Sequence, residues 1–125
     1  MSRVLEMPVI SIVDDDPAYL AAASDLVCSL GFRTRTFTSA KEFLKSAHLN
    51  QTSCLITDVQ MPGMSGVDLQ CALIERGSPV PIIFVTAFPE DATRSQALRN
   101  GAVCFLSKPF DARSLLKCLD RALKR

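Results

Sequence analysis

The sequence predicts one α/β domain, a five-stranded parallel sheet with helices on both faces. Three observations carry this. Short apolar runs alternate with helix-patterned segments five times along 125 residues, and such alternation favours parallel strands joined by helical crossovers. The runs around Ile10, Ile56 and Ile83 lack polar alternation, as strands buried on both faces do. The composition, 48% apolar and 22% charged, lets a chain of this length bury a core without a disulfide or a metal.

The elements follow in order. Residues 8–14 form a buried strand ending in acids. Asp16 caps the next helix and Pro17 suits its first turn. Leu20, Ala23, Val27 and Leu30 recur at helical spacing, and Gly31 stops the helix. Over 32–37, Phe32, Thr34 and Thr36 alternate with Arg33, Arg35 and Phe37, which predicts a strand at a sheet edge or with one wet face. Ser39-Ala40-Lys41-Glu42 has the form of a capping box, with Phe43, Leu44 and Ala47 on the short helix behind it. Residues 54–58 are a second apolar run closed by an acid. Pro and Gly make 61–66 a loop. A helix over 67–76 closes near Gly77, and 81–86 is the most hydrophobic strand. A helix over 89–100 stops at Asn100-Gly101, and 103–107 is the last strand. Asp111 caps the final helix, with Leu115, Leu119, Ala122 and Leu123 inward. Arg121, Lys124 and Arg125 complement the negative end of its dipole.

Composition excludes several classes. Fourteen basic and thirteen acidic residues leave a net charge of +1, too little basic bias for direct nucleic-acid binding. No apolar run approaches the ~20 residues that cross a bilayer, and the stretch between Arg3 and Asp14 is short and broken by Glu6, unlike a signal peptide. The expected location is cytoplasmic. The five cysteines, Cys28, Cys54, Cys71, Cys104 and Cys118, are widely spaced with no CxxC pair, so no zinc site is expected. They read as buried or half-buried thiols acting as small apolar side chains, with redox sensing as the alternative. His48, the single histidine, reads as surface.

In an open parallel sheet, function collects at the carboxyl ends of the strands. Asp14 and Asp15 end the first strand, Asp58 the third and Thr86 the fourth, and Lys108 follows the fifth. Aspartates about 5 Å apart repel by ~3 kcal/mol per pair at an effective dielectric near 20. Lys108 can offset one charge and a divalent cation two. An all-oxygen donor set favours magnesium over zinc, and magnesium favours a phosphate partner. A carboxylate can itself take a phosphoryl group as an acyl phosphate, a reaction that needs mainly positioning and charge neutralisation. Asp58, alone at its strand end beside a Gly-containing loop, is the first choice as nucleophile. Two other classes stay open. One is a phosphatase or mutase of the haloacid-dehalogenase type with Asp14 as nucleophile. The other is a flavin-binding module, for which the acidic first loop is ill suited.

The segments Val13-Asp14-Asp15-Asp16, Thr57-Asp58-Val59-Gln60-Met61-Pro62-Gly63-Met64-Ser65-Gly66, Val85-Thr86-Ala87 and Phe105-Leu106-Ser107-Lys108-Pro109-Phe110 together resemble the receiver (CheY-like) domain of bacterial two-component response regulators. The wording over 37–43 and 61–66 leans toward the FixJ-type branch. The resemblance covers essentially the whole chain. It implies a single flavodoxin-like (βα)5 domain over 1–125 with strand order 2-1-3-4-5, any DNA-binding output domain being absent from this chain. It implies that Asp58 accepts a phosphoryl group from a sensor histidine kinase, and that Asp15, Asp58 and the Gln60 backbone carbonyl ligate Mg2+ (or Mn2+), Asp14 acting through water. Lys108 would contact the phosphoryl group, with a cis bond to Pro109. Thr86 and Phe105 would switch the face made by the fourth helix, fifth strand and fifth helix. A phosphorylation-dependent homodimer near Ser95, Arg99 and Phe105 would follow, as would control of an output domain or partner in transcription regulation. On this reading the chain is a signalling phosphoacceptor that assists its own phosphorylation and dephosphorylation, not an enzyme. Phe105 stands where the family often has Tyr, and Phe88 places an apolar ring near the site, where it would shield the phosphoryl group from water.

Overall fold

A computed structural model describes residues 7–124. The terminal residues Arg3, Glu6 and Arg125, used in the sequence reading, lie outside them. The strands are β1 (Val9–Val13), β2 (Arg33–Phe37), β3 (Cys54–Asp58), β4 (Ile82–Thr86) and β5 (Cys104–Ser107). The helices are α1 (Pro17–Ser29), α2 (Ala40–Lys45), α3 (Gly66–Glu75), α4 (Asp91–Arg99) and α5 (Ala112–Leu123). All strand pairs are parallel, in the order β2-β1-β3-β4-β5. The (βα)5 prediction and its strand order hold, with β2 at an edge as Arg33 and Arg35 foretold.

Strand periodicity divides the core between the two faces of the sheet. Ile10, Ile12, Ile56, Ile83 and Val85 point to one face and pack with Leu20, Ala23 and Val27 of α1 and Leu115, Leu119 and Ala122 of α5. Val13, Leu55, Ile82 and Phe84 point to the other, against Phe43 of α2, Leu69 and Leu73 of α3 and Ala97 of α4. Every residue of β1 and β4 is buried, which explains their largely apolar sequence, broken only by the buried hydroxyls of Ser11 and Thr86. Such side chains contribute roughly 1.5–3 kcal/mol each.

Capping fixes where the helices begin. Asp16 accepts from the Ala18 and Tyr19 amides, and Asp111 from that of Ser114 at 2.7 Å. Ser39 accepts from the Glu42 amide, but Glu42 reaches past it to the Thr38 amide at 2.7 Å, so the predicted box is offset by one residue. The reciprocal box lies at Ser65 and Asp68. A 3-10 turn over Leu49–Gln51, not foreseen, buries Leu49 beneath α2. Gly31, Gly77 and Gly101 take positive φ after α1, α3 and α4, the backbone state helix stops require.

The cysteine reading needs correction. Cys54 is buried, but Cys28 and Cys71 are exposed. Cys104 and Cys118 are paired as a disulfide between β5 and α5, their Cα atoms 6.0 Å apart. Spacing of 14 residues hides this pair in the sequence; the crossover from β5 into α5 brings the two together. Among the described residues, no helix is long and apolar enough to cross a membrane.

Candidate functional site

The parallel sheet delivers the carboxyl ends of β1, β3, β4 and β5 to one rim, and most of the predicted site residues meet there. Asp14, Asp15 and Asp58 each offer an oxygen, all within 4.8 Å of one another. Asp14 is buried, Asp58 half-buried and Asp15 exposed. Lys108 Nζ lies 2.9 Å from Asp14 Oδ2 and 3.7 Å from Asp58 Oδ2. Three carboxylates against one ammonium leave two formal negative charges, and their oxygens form a hard donor set that fits a divalent cation with retained waters.

Each side chain is held by its local backbone. The Asp14 amide donates to the Phe37 carbonyl, while its Oδ1 accepts from the Asp16 amide at 2.9 Å. The carboxylate therefore faces Lys108 with a fixed orientation. Burial raises the Asp58 carboxyl above its ordinary value and the Asp14 charge adds to this; Lys108 and the Val59 and Gln60 amides pull the other way. A group in that balance holds its charge only with help from its neighbours.

The chain beyond Asp58 needs glycine. The Gly66 amide donates to the Val59 carbonyl at 2.8 Å, and a Cβ on Gly66 would collide with the Asp58 carbonyl oxygen. Of the Gly-containing loop that the sequence places beside Asp58, Gly66 is the residue whose missing side chain permits this approach. Gln60 is exposed next to this loop.

Thr86 is buried at the end of β4 and its Oγ1 accepts from the Phe88 amide at 3.1 Å. The Lys108 amide donates to the Thr86 carbonyl at 2.8 Å, and the Lys108–Pro109 bond is cis, as expected. Phe105 is half-buried, its ring centroid 6.1 Å from that of Phe84 on β4. Phe88 is 70% exposed, so its ring faces solvent. His48 is exposed and Asp16 serves as a cap, both as read from sequence.

Sequence reasoning missed Tyr19. Its ring lies under Lys108, with Nζ 3.8 Å from the ring centroid. Its buried hydroxyl has no hydrogen-bond partner among the described residues. The available signal was position: Tyr19 follows Asp15 by four residues, one helical turn beyond the acidic strand end.

Comparison with known proteins gives this rim its context. The profile of the response regulator receiver domain matches residues 10–120. Response regulator protein TmoT of Ectopseudomonas mendocina is 45% identical over 116 residues, covering 93% of this chain and 53% of that protein. Transcriptional regulatory protein FixJ of Bradyrhizobium diazoefficiens is 32% identical over 116 residues, covering 93% of this chain and 57% of that protein. The crystal structure of FixJ-N superposes with a TM-score of 0.85 at 29% identity, covering 96% of both chains. The chain spans about half the length of the curated relatives it matches. With this fold, these motifs at the strand ends and a match running nearly from end to end, the chain belongs to the response regulator receiver domain family.

Proposed function

We propose that the domain is a phosphorylation switch that accepts a phosphoryl group on Asp58 from a sensor histidine kinase. One observation carries this reading: the half-buried Asp58 carboxylate sits 3.7 Å from the Lys108 ammonium and within the same oxygen cluster as Asp14 and Asp15. An Asp58 oxygen attacks phosphorus. The bond from phosphorus to the donor nitrogen breaks, the electron pair returns to the imidazole, and an acyl phosphate remains. Lys108 neutralises one equatorial oxygen of the transferring group, and the Thr86 hydroxyl stands at the neighbouring strand end to hydrogen-bond another.

Asp15, Asp58 and the Gln60 backbone carbonyl are the residues proposed to hold Mg2+ (or Mn2+), with Asp14 acting through water. When bound, the cation supplies charge neutralisation on the phosphoryl oxygens. Asp14 also holds Lys108, so one buried carboxylate serves both the cation and the ammonium. Phe105 and Thr86 lie on adjacent strands, and their movement would alter the α4-β5-α5 face. That face would control an output domain or partner in transcription regulation, the role named in the relative transcriptional regulatory protein FixJ. Homodimerisation through α4 and β5, near Ser95, Arg99 and Phe105, is part of the same proposal. So are a cytoplasmic setting, the absence of direct nucleic-acid contact by this domain, and the role of phosphoacceptor rather than enzyme.

The test is labelling with acetyl phosphate and Mg2+. One phosphoryl group per chain is expected, lost in Asp58→Asn and on chelation of the metal. Undiminished labelling of Asp58→Asn at no new acceptor would reject the assignment.

A further inference from the structure

Away from the acidic rim, α5 and β5 enclose a second chemical site. Cys104 and Cys118 are paired there, each less than one-tenth exposed, at the wall of a cavity of about 400 Å³. The charged side chains lining that cavity, Arg94, Lys117 and Arg121, are all basic. Arg121 Nη1 donates to Cys104 Sγ at 3.5 Å. A cation beside a cysteine stabilises its thiolate, the nucleophilic form, and an electropositive, partly open setting marks a reactive thiol. The other cysteines show the contrast. Burial pushes the Cys54 thiol up to about 12, and Cys28 and Cys71 are unpaired and exposed.

We propose that Cys104 and Cys118 form a reversible dithiol–disulfide site whose substrate is a small peroxide. In the reduced chain, the Cys104 thiolate attacks one oxygen of hydrogen peroxide. The O–O bond breaks, and the departing hydroxide leaves as water once protonated, giving a sulfenic acid on Cys104. The Cys118 sulfur then attacks the Cys104 sulfur. The S–S bond forms, the S–O bond breaks, and the Cys118 proton leaves with the hydroxyl as a second water. Peroxide gains two electrons and each sulfur gives up one. Arg121 holds the attacking thiolate and the open cavity admits the peroxide. The product ties α5 covalently to β5. This chemistry is independent of phosphoryl transfer, since no residue of the acidic rim takes part.

Thiol counting tests it. The chain is fully reduced, freed of reductant, treated with dilute hydrogen peroxide, denatured and alkylated. All five cysteines should react before peroxide, and three afterwards, with peptide mapping joining Cys104 to Cys118. Dithiothreitol applied to the folded oxidised chain should restore the full count. Cys104→Ser and Cys118→Ser should each keep their four remaining thiols, with circular dichroism confirming that they fold. The Cys28→Ser/Cys71→Ser double variant should still form the bond. Arg121→Gln should slow its formation roughly fivefold, as expected for a thiolate deprived of its cation. A full thiol count after peroxide, a bond dithiothreitol cannot open in the folded chain, or an unchanged rate in Arg121→Gln would each overturn the proposal.

Discussion

The Lys108 ammonium stands 3.8 Å from the centroid of the Tyr19 ring. Asp14 Oδ2 lies 2.9 Å from the same nitrogen. The ammonium thus meets an aromatic face and a carboxylate at once, with Asp58 Oδ2 3.7 Å away as a second ion pair. Cation–π attraction contributes about 0.5–2 kcal/mol depending on desolvation. It restrains a lysine that has four flexible methylenes to order.

The ring, not the hydroxyl, should matter. Burial, followed by the Asp14 and Asp58 charges, pushes the Tyr19 phenol far up, so it stays neutral and contributes only its π face and its bulk. Tyr19→Phe keeps the face and removes a buried hydroxyl that has no partner among the described residues; stability should hold or rise slightly. Phosphorylation by acetyl phosphate should be unchanged in Tyr19→Phe and roughly fivefold slower in Tyr19→Leu, the equivalent of ~1 kcal/mol. Equal rates for Phe and Leu would show that Lys108 needs no aromatic support.

The acidic rim should cost the fold stability. Asp58 holds its proton more tightly in the native state than in the unfolded chain, where its ordinary value is 3.8. Its favourable contribution is therefore complete below that value and is lost as pH rises through the raised native one. At neutral pH, Asp58→Asn should be more stable by about 0.5–2 kcal/mol, or roughly 2–8 °C in Tm for a domain of this size. The advantage should shrink on acidification. Added Mg2+ should raise the wild-type Tm and do much less for Asp58→Asn. Thermal melts across pH, with and without the metal, check both statements; a metal response that survives the substitution would place the cation elsewhere.

Gly66 should tolerate no side chain. A Cβ there meets the backbone carbonyl of Asp58 and the Val59 Cα rather than a movable side chain. Overpacking typically costs ~1–3 kcal/mol, and rigid backbone puts this case at the upper end. Gly66→Ala should therefore lower the urea midpoint and depress labelling of Asp58 together, since relief of the clash displaces the acceptor strand. A variant with wild-type stability and labelling would show that the 59–66 chain can yield.

The sheet and its site were legible because both rest on short-range patterns. Apolar runs closed by acids at Asp14 and Asp58, and the Lys108-Pro109 step after the last run, survive any uncertainty of a residue or two in element ends. What escaped depends on where side chains meet. Tyr19 and Lys108 are separated by most of the chain, as are Lys108 and Asp14, yet charge alone suggested only the second pair. The Cys104–Cys118 pair needs the path of the crossover into α5. At Ser39 the sequence has the usual box ending in Glu, but Glu42 is long enough to reach Thr38 instead. At Ser65 the box closes through the shorter Asp68, a residue the usual pattern omits.

In the proposed switch, Thr86 would act as a hair trigger. Its hydroxyl oxygen is the acceptor for the Phe88 amide, so rotating the side chain deprives the segment ahead of α4 of its tether. Phe88 lies largely in water, and solvent can take over the abandoned N–H. A hydrogen bond exchanged that way is worth only about 0.5–1.5 kcal/mol net. Reorienting one buried hydroxyl can therefore release the approach to a whole helix at an energy comparable to thermal noise.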